Sequence, residues 1–351
     1  MRTSLIRRST PAQLLVGWLA LALALVGCAA APTSTAAPTG AAGEVSPGSG
    51  AATVAVAAAK VSYPKYGQRN SAVWALQKKL VEADMLRAQY RTGYFGDRTK
   101  AAVQKLQKKY GQSATGKVSA ATMTALTKAV AAMTGPKTWY HSETIGRSAD
   151  GRKIVAYRAG EPGKPVVMVV ATMHGEEDFG QYVARGLLEG KKIKDVDLWV
   201  VPVLNPDGLA KDRRWVAHSV DLNRNFPHKF IVRANSGPRA KSAKETGVIM
   251  KFLDRVNPRY LVSWHQPLIG VDSYAVKDKA LMKRLSTGLD IPVRRLDCHG
   301  SCHGTMTGWF NSKHKGAAIT VEYGSSARST KTMKTRDANA VLKAIGGRRA
   351  S

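Results

Sequence analysis

Three short clusters between residues 174 and 322 carry side chains that bind metal ions or move protons. His174 and Glu177 directly follow an apolar run and are separated by two residues. That spacing lets a single turn direct an imidazole and a carboxylate at one metal ion. His265 ends a second apolar run, and Glu322 lies within a third. Together the clusters offer two histidines and a carboxylate as ligands, with a further carboxylate that can serve as a base.

Each cluster taken alone also has an explanation that involves no catalysis. A His and a Glu at this spacing are common on solvated surfaces, and a histidine ending an apolar strand is often a hydrogen-bonded core residue. Glu322 is harder to explain in this way, because a buried carboxylate is costly unless it is paired or lies beside a metal ion. The prediction of a metal site therefore rests on the clusters in combination.

The elements that must position these clusters alternate along the region 139–349. Apolar runs typical of buried strands occur at 153–157, 166–172, 198–203, 260–264 and 318–323. Helical periodicity occurs at 179–188, 243–255, 278–289 and 332–345. This alternation predicts an α/β fold, with a mixed central sheet covered by helices on both faces. Ligands of such folds bind where loops follow the strand ends, and the candidate residues lie at those positions.

A smaller unit, residues 63–130, precedes this region and is followed by a linker at 131–138. Apolar residues at helical spacing, with Ser119 as a helix cap, predict a small three-helix domain. The unit resembles the peptidoglycan-binding domain of bacterial cell-wall hydrolases, which implies peptidoglycan as a partner. The resemblance is carried by Val73, Leu76, Gln77, Leu80, Gly93, Tyr94, Phe95, Gly96, Thr99, Ala102, Val103, Leu106, Gln107, Gly111, Gly116, Lys117, Val118, Thr122 and Leu126.

The large region resembles the zinc metallocarboxypeptidase family. The three clusters occur in family order, together with the motifs NPDG at 205–208 and VDLNRNF at 220–226. The resemblance implies one Zn²⁺ per chain, bound by His174, Glu177 and His265, with an open position for water. It further implies that Glu322 is the general base that also protonates the leaving amine.

Other positions of the family pattern concern the substrate. The resemblance implies that Asn223 and Arg224 clamp a substrate carboxylate, for which a guanidinium is well suited. Arg214 matches the arginine that stabilises the oxyanion, although the adjacent Arg213 or a plain surface role is an alternative. The 205–208 motif is interpreted as a structural turn.

The region also departs from the digestive members of this family. It is shorter, and none of Trp309, Tyr323 and Tyr274 is a clear counterpart of the substrate-capping tyrosine. Residues 265–268, followed by Asp272, are more similar to bacterial murein peptide amidases. Asp272 either contacts a substrate ammonium, such as that of diaminopimelate, or caps a loop. The loop 298–309 is expected to edge the cleft.

The N-terminus predicts export. Arg2, Arg7 and Arg8 precede the short apolar run 14–26, as in a signal peptide. The segment 1–28 ends in a sequence that resembles the bacterial lipobox, which implies lipidation of Cys28; an uncleaved anchor is the alternative. Residues 29–62 are mostly Ala, Pro, Thr, Ser, Gly and Val, which predicts a disordered tether. We therefore expect a lipid-anchored protein at the outer face of the cytoplasmic membrane, within the cell wall.

The charge of the chain favours anionic partners. The sequence carries 54 Lys and Arg against 24 Asp and Glu, a formal charge of +30. Such a field attracts anionic polymers, although general solubility explains it equally well. The basic residues are spread along the chain and form no nucleic-acid-binding motif, so we expect no nucleic-acid partner.

The two remaining cysteines lie close together in the sequence. In an oxidising compartment Cys298 and Cys302 are expected to form a disulfide. With His299 and His303 interleaved, a metal site is the alternative, but one short loop rarely supplies a closed tetrahedral set.

These observations predict a hydrolase that cleaves an amide bond in peptidoglycan stem peptides with the help of zinc. It either trims the terminal residue as a carboxypeptidase or cuts between γ-D-glutamate and a diamino acid, and the 265–268 resemblance favours the second. Two alternatives stay open: an inactive wall-binding scaffold, and a peptidase for peptides outside the wall with the small domain as a pro-segment. A monomer is assumed.

Overall fold

A computed structural model describes residues 62–298, 302–326 and 328–351. The predicted signal peptide with Cys28, the tether up to residue 61 and His299 lie outside the described residues. The described residues belong to one compact unit. None of their helices is long and apolar enough to cross a membrane.

The first part of this unit is a bundle of three helices, α1 (Ser71–Glu82), α2 (Asp97–Lys109) and α3 (Ala120–Ala132). A 3₁₀ turn, Ala88–Tyr90, lies between α1 and α2. The side chains of Asn70 and Ser119 cap α1 and α3 by accepting hydrogen bonds from backbone N–H groups. The predicted three-helix domain is therefore present in the structure.

Two buried glutamines explain the repeated Leu-Gln pattern of this bundle. Gln77 donates to the Tyr94 carbonyl and accepts from Gly93 N at 2.8 Å. Gln107 makes the equivalent pair of bonds, donating to the Lys117 carbonyl and accepting from Gly116 N at 2.9 Å. Each amide thus ties a helix to the glycine turn that follows it. Because each makes these bonds, neither glutamine is an unsatisfied polar group in the core.

An eight-stranded sheet in the order β1-β2-β5-β3-β6-β9-β7-β8 forms the centre of the large region. The central strands β5, β3, β6 and β9 are parallel. Strand β1 pairs antiparallel with β2, β2 with β5, and β7 with β9, whereas β7 and β8 are parallel to each other. A separate pair is formed by β4 and β10. The strands are β1 (Trp139–Arg147), β2 (Lys153–Gly160), β3 (Val166–Val170), β4 (Ile193–Lys194), β5 (Asp197–Val201), β6 (Tyr260–His265), β7 (Ile269–Asp272), β8 (Val293–Arg294), β9 (Ala317–Tyr323) and β10 (Arg348–Arg349).

Helices cover both faces of this sheet, as the near-continuous apolar strands predict. One core contains Val167 and Val169 of β3 with apolar residues of α4, α7 and α10, and the other contains Met168 and Val170 with residues of α6 and α8. The helices are α4 (Gly180–Leu187), α5 (Pro206–Lys211), α6 (Lys244–Val256), α7 (Lys279–Leu289), α8 (Met306–Lys313), α9 (Thr330–Thr332) and α10 (Ala338–Ala344). The α/β fold with a mixed sheet is confirmed.

The structure contains elements that the apolar pattern does not reveal. Strand β1 is largely exposed at the sheet edge, so its sequence lacks an apolar run. The predicted helix at 332–345 is α9 and α10 joined by a π turn, Met333–Asp337. Here Gly186 of α4 packs so closely that a Cβ atom would lie 2.2 Å from the Lys334 carbonyl oxygen. Only glycine therefore fits at this crossing.

Candidate metal centre and active site

Three side chains meet where parallel strands β3 and β6 end. His174 and Glu177 lie on the loop after β3, and His265 is the last residue of β6. Oε2 of Glu177 lies 2.8 Å from Nδ1 of His174 and 3.1 Å from Nδ1 of His265. All three ligand atoms lie within 4.8 Å of one another, and no other His, Cys, Asp and Glu set among the described residues forms such a group.

Hydrogen bonds on the far side of each imidazole fix which nitrogen faces the cluster. Nε2 of His174 lies 2.9 Å from Oδ1 of Asp221, and Nε2 of His265 lies 3.0 Å from Oγ of Ser263. Since an ionised carboxylate only accepts, Nε2 of His174 carries a proton, and Nδ1 is the nitrogen that has the lone pair when the ring is neutral. Nδ1 of His174 is buried and faces Oε2 of Glu177. Two imidazole nitrogens and a carboxylate oxygen are the donors that zinc prefers, so these residues fit the ion.

The charges of the cluster support the same conclusion. Burial alone would raise the pKa of Glu177, but His174 and His265 hold it well below its usual range. Burial would lower the pKa of His174, but Glu177 and Asp221 raise it to about 9. Both buried carboxylates, Glu177 and Asp221, thus lie beside positive charge, to which Arg214 contributes. A divalent cation would supply that charge and leave both histidines neutral.

The backbone of the ligand loop leaves no room for a side chain at Gly175. A Cβ atom there would lie 2.0 Å from the carbonyl carbon of Gly208 and 2.4 Å from the carbonyl oxygen of Arg213. The Gly175 N–H donates to that same oxygen at 2.9 Å. The loop carrying two metal ligands is therefore held against the segment that follows α5.

The sequence predicts that the 205–208 motif is a structural turn. In the structure it forms the start of the short helix α5, whose N-cap is Asn205. Asn205 caps α5 by accepting from Gly208 N at 2.8 Å, and its Nδ2 donates to the Arg214 carbonyl at 3.2 Å. Asp207 accepts from Ser148 and Arg152 at 2.7 Å each. No residue of the 205–208 motif lines the site cavity, so the role of the motif is structural.

Arg214 reaches into the site, whereas Arg213 is exposed. A guanidinium nitrogen of Arg214 donates to Oε1 of Glu177 at 2.6 Å, and its Nε donates to Oδ2 of Asp221 at 3.0 Å. Of the two adjacent arginines, Arg214 is therefore the one placed to contact a carbonyl group that reacts beside Glu177.

Glu322 stands beside His265 across the parallel pair β6–β9. Its Oε2 is buried and has no hydrogen-bond partner among the described residues. Burial raises the pKa of Glu322 above its usual range, although His265 opposes the effect. A carboxylate with a free, desolvated oxygen is well suited to accept a proton.

One cavity of about 700 Å³ is lined by the three candidate metal ligands, by Arg214 and Glu322, and by the predicted carboxylate clamp. Oδ1 of Asn223 accepts from Met306 N at 3.0 Å, and Arg224 donates to the Asn223 carbonyl at 2.8 Å. The residues that line it include His174, Glu177, Arg214, Asn223, Arg224, His265, Asp272 and Glu322.

The structure distinguishes the three aromatic candidates for a substrate cap. Trp309 and Tyr323 are buried, and the Tyr323 hydroxyl donates to Asp337. Tyr274 alone of the three lines the cavity. Asp272 lies beside it, accepting from Tyr274 N at 2.7 Å and from Leu296 N at 3.0 Å. Asp272 therefore both caps a loop and faces the cavity.

A disulfide joins Cys298 and Cys302, whose Cα atoms are 5.0 Å apart. Both cysteines line the cavity, as do Thr305 and, in the first turn of α8, Thr307. The described part of the loop 298–309 therefore edges the cleft, and Arg224 approaches Sγ of Cys298 to 3.5 Å.

Sequence reasoning missed the two residues that orient the histidines. Asp221 stands within the motif at 220–226, where only its neighbours were assigned roles, and its pKa lies far below its usual range because His174 and Arg214 outweigh its burial. Ser263 lies two residues before His265 and so points to the same face of β6. That period of two is a signal that could have identified it.

Comparisons with known proteins agree with this site. Residues 123–268, which include His174, Glu177 and His265, match the family model for zinc carboxypeptidase. Residues 69–126 match the model for a putative peptidoglycan binding domain.

The individual relatives resemble this chain at low sequence identity. Murein peptide amidase A of Escherichia coli (strain K12) is 28% identical over 169 residues, covering 43% of this chain and 69% of that protein. The Vibrio campbellii protein of the same name is 25% identical over 196 residues, covering 51% and 77%. The crystal structure of a murein-tripeptide amidase from Escherichia coli O157 covers 58% of this chain and 91% of its own, with 21% identity and a TM-score of 0.48. Residues 123–268 thus form a zinc carboxypeptidase domain and residues 69–126 a peptidoglycan-binding domain, and these matches indicate a hydrolase.

Proposed function

We propose that this protein hydrolyses an amide bond in the stem peptides of peptidoglycan. The observation that carries the proposal is the single cavity in which a His-Glu-His set, a free carboxylate and a carboxylate clamp meet. The peptidoglycan-binding domain on the same chain supports a wall substrate. The names of the murein peptide amidases that the chain resembles point to the same substrate class.

The residues have separate roles in this reaction. His174, Glu177 and His265 would hold a zinc ion, which would act as a Lewis acid and would lower the pKa of bound water toward neutrality. Glu322 accepts the proton of the attacking water on its free oxygen and delivers it to the leaving amine. Arg214 turns from Glu177 toward the carbonyl oxygen and stabilises the negative charge that develops there.

The carboxylate clamp determines the direction in which the substrate lies across the metal ligands. Asn223 and Arg224 bind the free carboxylate of the leaving amino acid, with two parallel hydrogen bonds from the guanidinium. The amine that leaves therefore lies in the main cavity, and the acyl side of the bond lies on the other side of the metal ligands. This orientation applies to any substrate that ends in a carboxylate near the bond that is cleaved.

Within this class, we favour the bond between γ-D-glutamate and a diamino acid. Asp272 lines the cavity that receives the leaving residue, where a carboxylate attracts a cationic side chain. A diamino acid carries such a cation, whereas the D-alanine that a trimming carboxypeptidase releases does not. Trimming of the terminal residue is the second candidate reaction, because the clamp would bind the carboxylate of that residue equally well.

Digestion of purified peptidoglycan tests the proposal. Zinc-loaded protein and the Glu322→Gln variant are incubated with the wall and with soluble stem peptides, and the released fragments are identified by mass spectrometry. The variant should keep its zinc and lose about 10²–10⁴-fold in rate. Release of a fragment that begins with the diamino acid supports cleavage of the favoured bond, whereas release of D-alanine alone supports trimming. If the active protein releases nothing from either substrate, the proposal is wrong.

We further propose that the protein is exported and anchored to the membrane by a lipid on Cys28. The basic start, the short apolar run and the lipobox-like end of the segment 1–28 support this location. Metabolic labelling with a fatty acid tests it. The wild-type chain should carry the label in the membrane fraction, and Cys28→Ala should carry none.

A further inference from the structure

A second cavity of about 590 Å³ lies beside the first and is formed by both parts of the chain. The three-helix domain contributes the turn Ala88–Tyr90 and Arg91. The catalytic region contributes Glu176 from the metal-ligand loop and the pair Ser325 and Ser326 after β9. The wall-binding domain thus reaches the edge of the catalytic site.

The two cavities meet at the metal ligands. Glu177, Gln266 and Pro267 line both of them, so these residues form the boundary between the two spaces. Gln266 is held in place, because its N–H donates to Glu177 Oε2 at 3.1 Å and its side chain accepts from Phe179 N at 2.9 Å. A substrate that crosses the metal site from the clamp enters the second cavity next.

A buried ion pair holds the turn of the small domain at this position. The Arg91 side chain is 5% exposed and pairs with the fully buried Asp178, which adjoins the metal ligand Glu177. Its guanidinium also lies 3.6 Å from Asp212 and 5.0 Å from the centre of the Trp74 ring. These contacts fix the direction of Arg91 on both sides of the domain boundary.

Further contacts join the same two parts away from the cavity. Asp84 accepts from Thr330 N at 2.8 Å, and the Thr330 hydroxyl donates to the Val81 carbonyl at 2.7 Å. Lys334 donates to the Met133 carbonyl at 2.6 Å, close to the end of α3. Several fixed points, rather than a single hinge, therefore set the position of the small domain.

We propose that the turn 88–91 of the peptidoglycan-binding domain is one wall of the groove for the acyl side of the substrate. The proposal rests on the proposed function, because the clamp on the leaving side places the acyl side at the second cavity. The domain then does more than hold the enzyme near the wall. It contacts the part of the same stem peptide that leads to the glycan.

The second cavity is lined by neutral polar groups as well as by charged ones, and the neutral groups suit an acyl chain rich in amides and hydroxyls. Gln89, Tyr90, Ser325 and Ser326 offer amide and hydroxyl groups, which hydrogen-bond without charge. Oε2 of Glu176 is buried without a hydrogen-bond partner among the described residues, so it is free to accept from an amide N–H. A volume of about 590 Å³ exceeds that of one amino acid and accommodates a ligand of several units.

Binding of an acyl-side fragment to the full-length, zinc-loaded chain tests this proposal. The probe is an N-acetylated amino sugar joined through a lactyl ether to a dipeptide, and affinity is measured by calorimetry. Gln89→Trp fills the cavity from the small domain, and Ser326→Trp fills it from the catalytic region; both positions are exposed. Thr127→Trp adds the same bulk to an exposed position on α3 that lines neither cavity.

Both cavity variants should weaken binding at least tenfold, while Thr127→Trp stays within twofold of wild type. Zinc content and thermal unfolding verify the fold of each variant. The proposal is overturned if wild type does not bind the probe, or if Gln89→Trp binds it as tightly as wild type does. Loss in Gln89→Trp without loss in Ser326→Trp also overturns it, because the site would then lie on the small domain alone.

This measurement involves no turnover and so separates the two proposals. If binding of the probe is weakened by both Gln89→Trp and Ser326→Trp but peptidoglycan is not cleaved, the proposed function fails and the proposed groove stands. If peptidoglycan is cleaved and neither variant changes binding of the probe, the proposed function stands and the proposed groove is wrong. Where cleavage occurs, Gln89→Trp should also lower the ratio of kcat/KM for a substrate with the sugar over one without it.

Discussion

Nε2 of His174 lies 2.9 Å from Oδ1 of Asp221, on the side of the ring opposite the metal-binding cluster. Asp221 also accepts from Asn223 N at 2.8 Å and from Arg214 Nε at 3.0 Å. One carboxylate thus connects a metal ligand, the start of the carboxylate clamp and the predicted oxyanion-stabilising arginine. Its removal should disturb the metal site without changing any ligand.

The first prediction is that Asp221→Ala lowers zinc affinity by about 10–100-fold, the usual effect of losing a group that orients a ligating histidine. Competition with a zinc-binding dye measures this. Asp254→Ala is the control, because among the described residues the ion pairs of Asp254 are with Lys313 and His314, neither of which lines the site cavity. Equal zinc affinity in the two variants would show that Asp221 does not orient His174.

The second prediction concerns Gly175. Gly175→Ala should weaken zinc binding by at least tenfold, because its Cβ atom would overlap the backbone of Gly208 and displace the loop that carries His174 and Glu177. Gly247→Ala is a matched control, since nothing lies within 4 Å of a Cβ atom at that position in α6. The same dye competition is used, and unchanged affinity in Gly175→Ala would mean that the loop tolerates the shift.

The sequence predicts the metal cluster well because each of its members follows or ends an apolar strand. The register that places His265 beside Glu322 is a consequence of parallel pairing between β6 and β9, which the strand pattern implies. The roles of Asp221 and Ser263 depend instead on loop geometry and on which face of a strand points to the site. Such contacts join residues far apart in the chain, as with His174 and Asp221, and leave little local signal.

The packing of the small domain is the other feature that the sequence does not reveal. The sequence predicts a linker at 131–138 between two units and no contact between them, whereas Arg91 of the first unit pairs with Asp178 of the second, 87 residues away. Neither residue has a sequence neighbour that marks it as buried. Charged residues are normally exposed, so only the structure shows that this pair is enclosed by both parts of the chain.

The third prediction is a pH dependence of substrate binding that arises from Asp272. Burial raises the pKa of Asp272 to about 6, although backbone N–H groups of Tyr274 and Leu296 oppose the shift. Its charge is therefore present above pH 6 and is lost as the pH falls through that value. For a substrate with a cationic leaving residue, KM should rise about tenfold between pH 7 and pH 5.

Steady-state kinetics over this pH range measure the effect. Asp272→Asn should raise KM at pH 7 and abolish the rise at low pH, because the amide does not ionise. A substrate with a neutral leaving residue is the control and should show no such rise. If wild type and Asp272→Asn have the same KM profile on the cationic substrate, Asp272 does not contact the ammonium.

The fourth prediction concerns the carboxylate clamp. Arg224→Lys keeps the positive charge but removes the planar pair of donors, so KM should rise about tenfold or more. Arg239→Lys is the control, since Arg239 lines neither cavity. A substrate whose terminal carboxylate is amidated should be insensitive to Arg224→Lys. Equal losses on the free and amidated substrates would show that Arg224 acts elsewhere.

The fifth prediction is that the Arg91–Asp178 pair contributes far more to stability than a surface pair does. The two side chains are 5% and 0% exposed, and burial raises the pKa of Asp178 even beside Arg91. Arg91→Met leaves a buried carboxylate without its cation and should lower the free energy of unfolding by about 3–5 kcal/mol. Arg255→Met, which breaks the exposed pair with Glu143, should cost at most about 1 kcal/mol.

Urea denaturation of the zinc-loaded proteins measures both values. Adding Asp178→Asn to Arg91→Met should restore much of the loss, because the carboxylate that needs compensation is then absent. Loss in the single variant with recovery in the double variant identifies the buried charge, rather than lost packing of the Arg91 side chain, as the cause. Equal costs for Arg91→Met and Arg255→Met would mean that water reaches the domain boundary and screens the pair there as it does at the surface.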